Sequence, residues 1–124
     1  YANMFQRRMN KAKANVFLIN TGWVGGSYGV GKRIPLKYTR AMINAAINGE
    51  LDYVAYETDP FFNLNIPKFC PGVPAELLNP KTTWLDKSEY DRTAMKLVDM
   101  FKDNFKQYQN FPEAIVKAGP GKHD

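Results

Sequence analysis

Apolar residues recur at helical spacing in some stretches of the chain and form short unbroken runs in others. From Leu36 onward the apolar positions step by three or four residues, which predicts a helix that begins at Pro35 and stops at Gly49. The residues expected on its inner face are Leu36, Thr39, Met42, Ile43, Ala46 and Ile47. Ahead of this helix, the apolar run at residues 16–20 (VFLIN) predicts a strand buried on both faces, itself preceded by a helix.

The middle of the chain combines one strand-like run with many prolines. Residues 53–58 (YVAYET) predict a second strand. The prolines that follow are Pro60, Pro67, Pro71, Pro74 and Pro80. Because proline lacks a backbone N–H and restricts the chain, we expect a long irregular loop here. A loop of that length in a compact domain is more often functional, or packed against a neighbouring part of the chain, than free.

The last third of the chain predicts one long helix and a tail. Asp86, followed three residues later by Glu89, is similar to a capping box that starts a helix. The apolar stripe of this helix consists of Tyr90, Ala94, Leu97, Phe101, Phe105 and Tyr108. Such a stripe is typical of a helix packed on a core rather than of a cofactor site. Residues 118–124 (AGPGKHD) are expected to form a flexible tail.

Length and composition suit one globular domain with a modest core, because 44% of the 124 residues are hydrophobic. The predicted helices and strands give a mixed α/β (α+β) fold class. The first residue is Tyr1 rather than Met. Residues at helical spacing begin at once, with Tyr1, Met4, Phe5 and Met9. We interpret this start as a helix entered near its beginning, and hence the chain as a piece of a larger protein; a trimmed disordered segment would look the same.

Three bulk properties bear on partners and location. No apolar run reaches the roughly 20 residues that cross a bilayer, so no membrane partner is expected. The single cysteine, Cys70, allows no internal disulfide, which favours a reducing, cytoplasmic location. The net charge of +5 would suit an anionic partner, but the basic residues are scattered. A nucleotide, a nucleic acid and a plain charged surface therefore all remain open.

Residues 22–31 (GWVGGSYGVG) contain five glycines and are followed directly by Lys32 and Arg33. Glycines let backbone N–H groups approach an anion closely, and a helix start after the loop adds partial positive charge. The spacing comes close to the phosphate loop G-x-x-x-x-G-K-[ST], but Arg33 stands where a hydroxyl must bind magnesium. We therefore expect no phosphate loop. The alternative is a long hairpin in which the glycines only turn the chain.

The same segment offers residues suited to the nucleoside end of a nucleotide. Arg33 has a planar guanidinium that can stack on a base, Ile34 an apolar face, and Thr39 a hydroxyl that donates and accepts. These three residues are the predicted nucleotide-binding residues. Taken one by one and without family information, such residues are more often an exposed arginine, a core isoleucine and a helix-facing threonine than ligand contacts.

No catalytic residue and no metal ligand are expected in this chain. His123 lies in the tail, which leaves no credible base for a nucleophile. Glu57 and Asp59 stand near a strand end, where carboxylates are commonly just solvated. Cys70, between Phe69 and Pro71, is expected to be a small buried apolar residue rather than a nucleophile.

Several runs in their order along the chain resemble one enzyme family. These are residues 18–40 (LINTGWVGGSYGVGKRIPLKYTR), then ETDPFFNLNIP, and then the CPGVP that leads to LNP at residues 78–80. They resemble the C-terminal part of ATP-dependent phosphoenolpyruvate carboxykinase. The resemblance covers nearly all of residues 1–124, which would form part of the C-terminal, nucleotide-binding lobe of a two-lobed mixed α/β protein.

The resemblance implies an enzyme that decarboxylates oxaloacetate and phosphorylates the enolate with ATP, giving phosphoenolpyruvate, ADP and CO₂ in gluconeogenesis. Arg33, Ile34 and Thr39 match positions beside the adenine and ribose. The phosphate loop, the ligands of Mg²⁺ and Mn²⁺ and the oxaloacetate-binding residues match nothing here. The chain is therefore expected to need the remainder of the same polypeptide, to bind no cofactor tightly, and to be inactive alone. The rival hypothesis from composition is a basic nucleic-acid-binding module. A third possibility is that the isolated chain folds but binds nothing.

Overall fold

The computed structural model describes residues 2–12, 14–108 and 111–121. Its helices are α1 (Ala2–Ala12), α2 (Leu36–Ile47), α3 (Lys87–Phe105) and α4 (Glu113–Ala118), with 3-10 helices at Ala75–Leu77 and Pro80–Thr83. Its strands are β1 (Trp23–Val24), β2 (Lys32–Arg33), β3 (Tyr56–Thr58) and β4 (Asn65–Pro67). The strands form two separate antiparallel pairs, β1 with β2 and β3 with β4. This confirms the mixed α/β class.

Helix α2 begins and ends at the positions that its flanking proline and glycine predict. Pro35 caps its N-terminus, and Gly49 follows its C-terminus with a φ of 76°, a conformation that glycine adopts without strain. The predicted inner face is wrong in part, because Leu36, Ile43 and Ile47 are exposed. An apolar pattern that runs around most of a helix does not tell which side a neighbour will cover.

The core packs on a face of α2 that is rotated from the predicted one and still includes the predicted Met42 and Ala46. Its buried members are Ala45, Leu51, Cys70 and Val73. The prediction for Cys70 is confirmed, since the residue is buried in this cluster. Burial, with a smaller contribution from the charge of Glu50, raises the pKa of the Cys70 thiol, so it stays protonated and unreactive near neutral pH.

The proline-rich stretch is more regular than predicted. Only the second half of the predicted strand at residues 53–58 forms, as β3, and it pairs with β4. Pro67 is the last residue of β4, so its missing N–H does not interrupt a ladder that continues beyond it. Pro80 is the first residue of a 3-10 helix, where the backbone N–H needs no partner within the helix. The expectation of an irregular loop is therefore wrong at both of these prolines.

The strand predicted at residues 16–20 does not form. Val16, Phe17 and Leu18 have side chains that are 52%, 37% and 80% exposed. The helix predicted ahead of them is present as α1. A strand buried on both faces needs neighbouring strands to accept its backbone hydrogen bonds, and none lies beside residues 14–20 within the described ranges.

The capped start of α3 is confirmed, because the Asp86 side chain accepts a hydrogen bond of 3.1 Å from the backbone N–H of Glu89. The predicted stripe packs only in its first half. Tyr90, Ala94 and Val98 are buried, whereas the predicted core residues Leu97, Phe101, Phe105 and Tyr108 are exposed. The far end of this helix is only partly covered, by ring contacts such as those of Phe101 with Phe62 and of Phe105 with Phe111.

The tail also differs from the expectation over the residues that are described. Ala118 ends α4, and Gly121 is buried. The Gly121 N–H donates to the carbonyl oxygen of Phe61 at 2.7 Å, and the Asn63 amide donates to the Ala118 carbonyl at 3.4 Å. These bonds hold residues 118–121 against the β3–β4 hairpin. Residues 122–124, with His123, and Tyr1 lie outside the described residues.

Among the helices described, none has the length and apolar character that a bilayer crossing requires.

Candidate functional site

The glycine-dense segment forms a β-hairpin, which is the alternative that its composition left open. Trp23 pairs with Arg33 and Val24 pairs with Lys32 in an antiparallel register. Gly25 has a φ of 88°, which other residues rarely adopt. A Cβ on Gly31 would lie 2.6 Å from the carbonyl oxygen of Gly26, so no side chain fits there. The glycines at these positions are therefore required by the turn itself.

The hairpin does not offer a phosphate cradle. The backbone N–H groups of Val30 and Gly31 both donate to the carbonyl oxygen of Ser27, at 2.9 and 3.0 Å. Tyr28, at the tip, is fully exposed. Because these two donors are already used within the turn, they are unavailable to an anion, which agrees with the mismatch of Arg33 to the phosphate-loop pattern.

Asn20 fixes the base of the hairpin. Its side-chain amide donates to the carbonyl oxygen of Trp23 at 3.1 Å, and its side-chain oxygen accepts from the N–H of Gly22 at 2.8 Å. The N–H of Ile34 then donates to the carbonyl oxygen of Gly22 at 2.9 Å, which extends the pairing by one residue. These bonds set the direction in which β2 leaves the hairpin and enters α2.

The three predicted nucleotide-binding residues lie on this β2-to-α2 connection. Arg33 is exposed in β2, whereas Ile34 and Thr39 are 2% and 6% exposed. Within the described residues, no hydrogen bond or ion pair engages the Arg33 guanidinium. The structure thus brings an unpaired planar cation next to a buried apolar residue, with Thr39 just over one helical turn further on.

Thr39 carries the most unusual feature of this connection. Its hydroxyl oxygen is buried and has no hydrogen-bond partner among the described residues. Threonine in a helix commonly donates its hydroxyl to the carbonyl oxygen four residues earlier, but here, within the described ranges, the Pro35 carbonyl accepts only from backbone N–H groups, those of Tyr38 at 3.0 Å and Thr39 at 3.4 Å. Because buried polar groups are nearly always paired, the unused donor and acceptor of this hydroxyl set Thr39 apart from its neighbours on the connection.

A second polar cluster surrounds a cavity of about 150 Å³ between the β3–β4 hairpin and α3. Asp59 was expected to be solvated but is 7% exposed, and its carboxylate accepts from the N–H groups of Phe61 and Phe62 at 3.1 and 2.6 Å. This carboxylate stabilises the turn between β3 and β4. Glu57 is exposed, as expected, and accepts from the Asn79 amide at 3.2 Å.

Tyr90, which also lines this cavity, is unsuited to acid–base work near neutral pH. Burial, reinforced by the charges of Asp59 and Asp91, raises the pKa of Tyr90 to about 12. Lys81 forms an ion pair with Asp91 at 3.0 Å. Across the described ranges, no group of three or more His, Cys, Asp or Glu residues is placed to hold a metal ion.

Trp23 is a residue that the sequence reasoning did not single out. It lies opposite Arg33 in the hairpin and is 61% exposed. An alternating pattern could have indicated that both side chains share one face, but only if the pairing register had been known. The register depends on the turn at residues 25–31, which local pattern alone does not fix.

Comparison with known proteins places the chain in a family. Residues 1–76 match the family model described as phosphoenolpyruvate carboxykinase. The chain is 56% identical over 120 residues to phosphoenolpyruvate carboxykinase (ATP) of Caldanaerobacter subterraneus, and 53% identical over 125 residues to that of Fusobacterium nucleatum. These matches span 97% and 100% of the chain but only 23% and 24% of the relatives.

A relative from Moorella thermoacetica, also named phosphoenolpyruvate carboxykinase (ATP), is 50% identical over 96% of the chain. The hypothesis of a basic nucleic-acid-binding module gains no support from these comparisons, because the matched proteins are named as carboxykinases. The matched length includes nearly the whole chain, and therefore more than the hairpin and α2 alone. The chain belongs to the ATP-dependent phosphoenolpyruvate carboxykinase family.

Proposed function

We propose that this chain supplies the adenine and ribose side of the ATP site in a carboxykinase. The complete enzyme converts oxaloacetate and ATP into phosphoenolpyruvate, ADP and CO₂. The observation that carries the proposal is the buried, unpaired hydroxyl of Thr39, on the connection where Arg33 presents a free guanidinium. The names of the relatives supply the nucleotide and the reaction.

Each of the three residues has a role that follows from its burial. The exposed guanidinium of Arg33 stacks on the face of the adenine ring. Ile34, which is 2% exposed, forms the apolar support beneath this contact. The Thr39 hydroxyl, free to donate and accept, hydrogen-bonds the nucleoside. Together they position the base and leave the phosphates to groups outside the chain.

The metal-dependent part of the reaction is not assigned to this chain. Phosphoryl transfer requires divalent metal and positive charge around the γ-phosphate, which in this enzyme means Mg²⁺ and Mn²⁺. The part of the chain that the structure describes holds no cluster of ligands for either ion. We therefore assign the metals, the phosphate contacts and the oxaloacetate contacts to the remainder of the polypeptide, and expect the isolated chain to be inactive.

The remainder of the polypeptide also accounts for the exposed apolar surface. The run Val16, Phe17 and Leu18 and the α2 residues Ile43 and Ile47 all present apolar side chains to solvent. Contiguous exposed apolar residues mark contact surfaces. The relatives are about four times as long as this chain, so most of their polypeptide is available to cover these residues.

A chimera tests the proposal. In it, this chain replaces the matching 120 residues of the Caldanaerobacter enzyme. We expect the chimera to form phosphoenolpyruvate from oxaloacetate, ATP and Mn²⁺, and the isolated chain to form none. Arg33→Ala should raise the KM for ATP about tenfold, as expected for the loss of one stacking contact, without changing the KM for oxaloacetate.

Arg40→Ala is the matched control, because Arg40 is also exposed and lies on α2. It should leave both KM values unchanged. Equal effects of the two arginine substitutions on ATP would mean that only net positive charge matters, and would contradict a specific contact at Arg33. Product formation by the isolated chain would contradict the assignment of the metal and phosphate groups to the remainder.

A further inference from the structure

Trp23 and Arg33 form a cross-strand pair on an exposed ribbon. They are directly opposite in the register of β1 and β2. Residues in that relation point to the same face of the ribbon, with Cβ atoms about 5 Å apart. Trp23 is 61% exposed although tryptophan is among the more buried residue types on average. Two large planar groups therefore stand side by side on one face of the hairpin.

The indole has no partner of its own in the described parts of the chain. Among the described residues, no aromatic ring pairs with Trp23, and the cation–π contact of this region joins Lys37 to Tyr38. The backbone that carries it is nevertheless fixed, because the Asn20 side chain bonds to both Gly22 and Trp23. An uncovered aromatic ring on a fixed backbone can stack on a flat ligand with little loss of backbone conformational entropy.

We propose that Trp23 is a further nucleobase-binding residue, which stacks on the purine ring beside the Arg33 guanidinium. The inference rests on the proposed function, since it extends the same site. Every purine has a π-face that an indole can cover, and the guanidinium adds a cation–π contribution at the neighbouring position. The Trp23–Arg33 pair thus recognises the flat base, whereas the Thr39 hydroxyl recognises a polar edge.

The experiment separates base binding from phosphate binding in the chimera. Trp23→Ala should weaken the binding of ATP, measured by calorimetry, about tenfold, which is typical of one lost base–aromatic stack. The affinity for inorganic tripolyphosphate, which has no base, should not change. Trp23→Phe keeps an aromatic face and should stay within about threefold of the parent. Tyr28→Ala, which removes a fully exposed ring at the tip of the same hairpin, is the matched control and should have no effect.

Two results would overturn the role of Trp23. If Trp23→Ala weakens ATP and tripolyphosphate equally and lowers the melting temperature, the indole packs against the remainder of the polypeptide instead. If Trp23→Ala leaves ATP binding unchanged while Arg33→Ala and Thr39→Val weaken it, the proposed function stands and the role of Trp23 alone is wrong. If none of these three variants affects ATP binding, the proposed function itself fails, and the role of Trp23 fails with it.

Discussion

At the scale of single residues, Thr39 shows a conflict between stability and binding. Its buried hydroxyl has no partner, and an unpaired buried polar group costs about 1–3 kcal/mol. A residue that destabilises the fold but offers an unused donor and acceptor is typical of a binding site. The same atom that weakens the chain is thus the one assigned to the nucleotide.

Replacing Thr39 should therefore separate the two effects. Thr39→Val has nearly the same shape and removes the unpaired hydroxyl, so we expect it to raise the free energy of unfolding of this chain by about 1 kcal/mol. The measurement is urea denaturation followed by circular dichroism. Thr93→Val is the matched control, because the Thr93 hydroxyl already donates to the Glu89 carbonyl at 2.9 Å. Destabilisation by Thr39→Val would show that the hydroxyl is paired in solution.

Tyr90 predicts a pH dependence of stability. Its pKa is raised from 10.0 to about 12, mainly by burial, so the folded state keeps a proton that the unfolded state releases first. The resulting stability is present below pH 10 and is lost as the pH rises from 10 to 12. Allowing for solvent screening, the loss should not exceed about 2 kcal/mol.

The check is a comparison of unfolding free energies of the parent and Tyr90→Phe between pH 9 and 12. The parent should lose more stability over this range than the variant. A smaller dependence remains in the variant, because burial also raises the pKa of Tyr56. Tyr53→Phe, at a side chain that is 93% exposed, should behave like the parent. Identical pH profiles of the parent and Tyr90→Phe would contradict the assignment to Tyr90.

At the scale of elements, the start of α3 depends on one side chain. The Asp86 carboxylate accepts from the Glu89 N–H, which satisfies a donor that the helix itself cannot pair. Asp86→Ala should destabilise the chain by about 1 kcal/mol in thermal or urea unfolding. Asp103→Ala near the end of the helix removes only an exposed ion pair with Lys106 and should cost at most a few tenths of a kcal/mol. Equal losses would mean that charge, rather than capping, accounts for the effect.

The helices were predictable from sequence because their signals are local. Pro35 and Gly49 bound α2, and Asp86 starts α3, at the positions that their chemistry indicates. The faces of these helices were predicted less well, since Ile47 and Phe101 are apolar and yet exposed. Burial depends on which other element lies opposite, and that information is not contained in the periodicity of one helix.

The strands and the candidate site also depend on residues that are distant in the sequence, which limits their prediction. Residues 16–20 read as a strand from their apolar run, but strand formation depends on distant residues that supply hydrogen bonds. Arg33, Ile34 and Thr39 were named from their side-chain chemistry and from the family resemblance, and their contact with a nucleotide stays a prediction. The unpaired state of the Thr39 hydroxyl could not, because it depends on side-chain rotamer and packing. The pairing of Trp23 with Arg33 likewise depends on a register set by the turn.

At the scale of the whole molecule, the exposed run Val16, Phe17 and Leu18 has a different character from other exposed apolar residues. Leu85, for example, is fully exposed but stands alone between Trp84 and Asp86. Single exposed leucines are common on protein surfaces, whereas a contiguous run signals a contact. The run would be covered in the complete enzyme, where neighbouring strands could pair with its backbone as its sequence pattern predicts.

Leu18→Lys and Leu85→Lys test this difference with the same chemical change. In the isolated chain both substitutions should leave the melting temperature nearly unchanged, because both side chains are already in water. In the chimera Leu18→Lys should destabilise by at least about 2 kcal/mol, since burying a leucine side chain is worth that much, and Leu85→Lys should not. Hydrogen exchange at the amides of residues 16–20 should slow in the chimera for the same reason. If Leu18→Lys is tolerated there and these amides still exchange freely, the run stays open to solvent in the complete enzyme, and its apolar character has another cause.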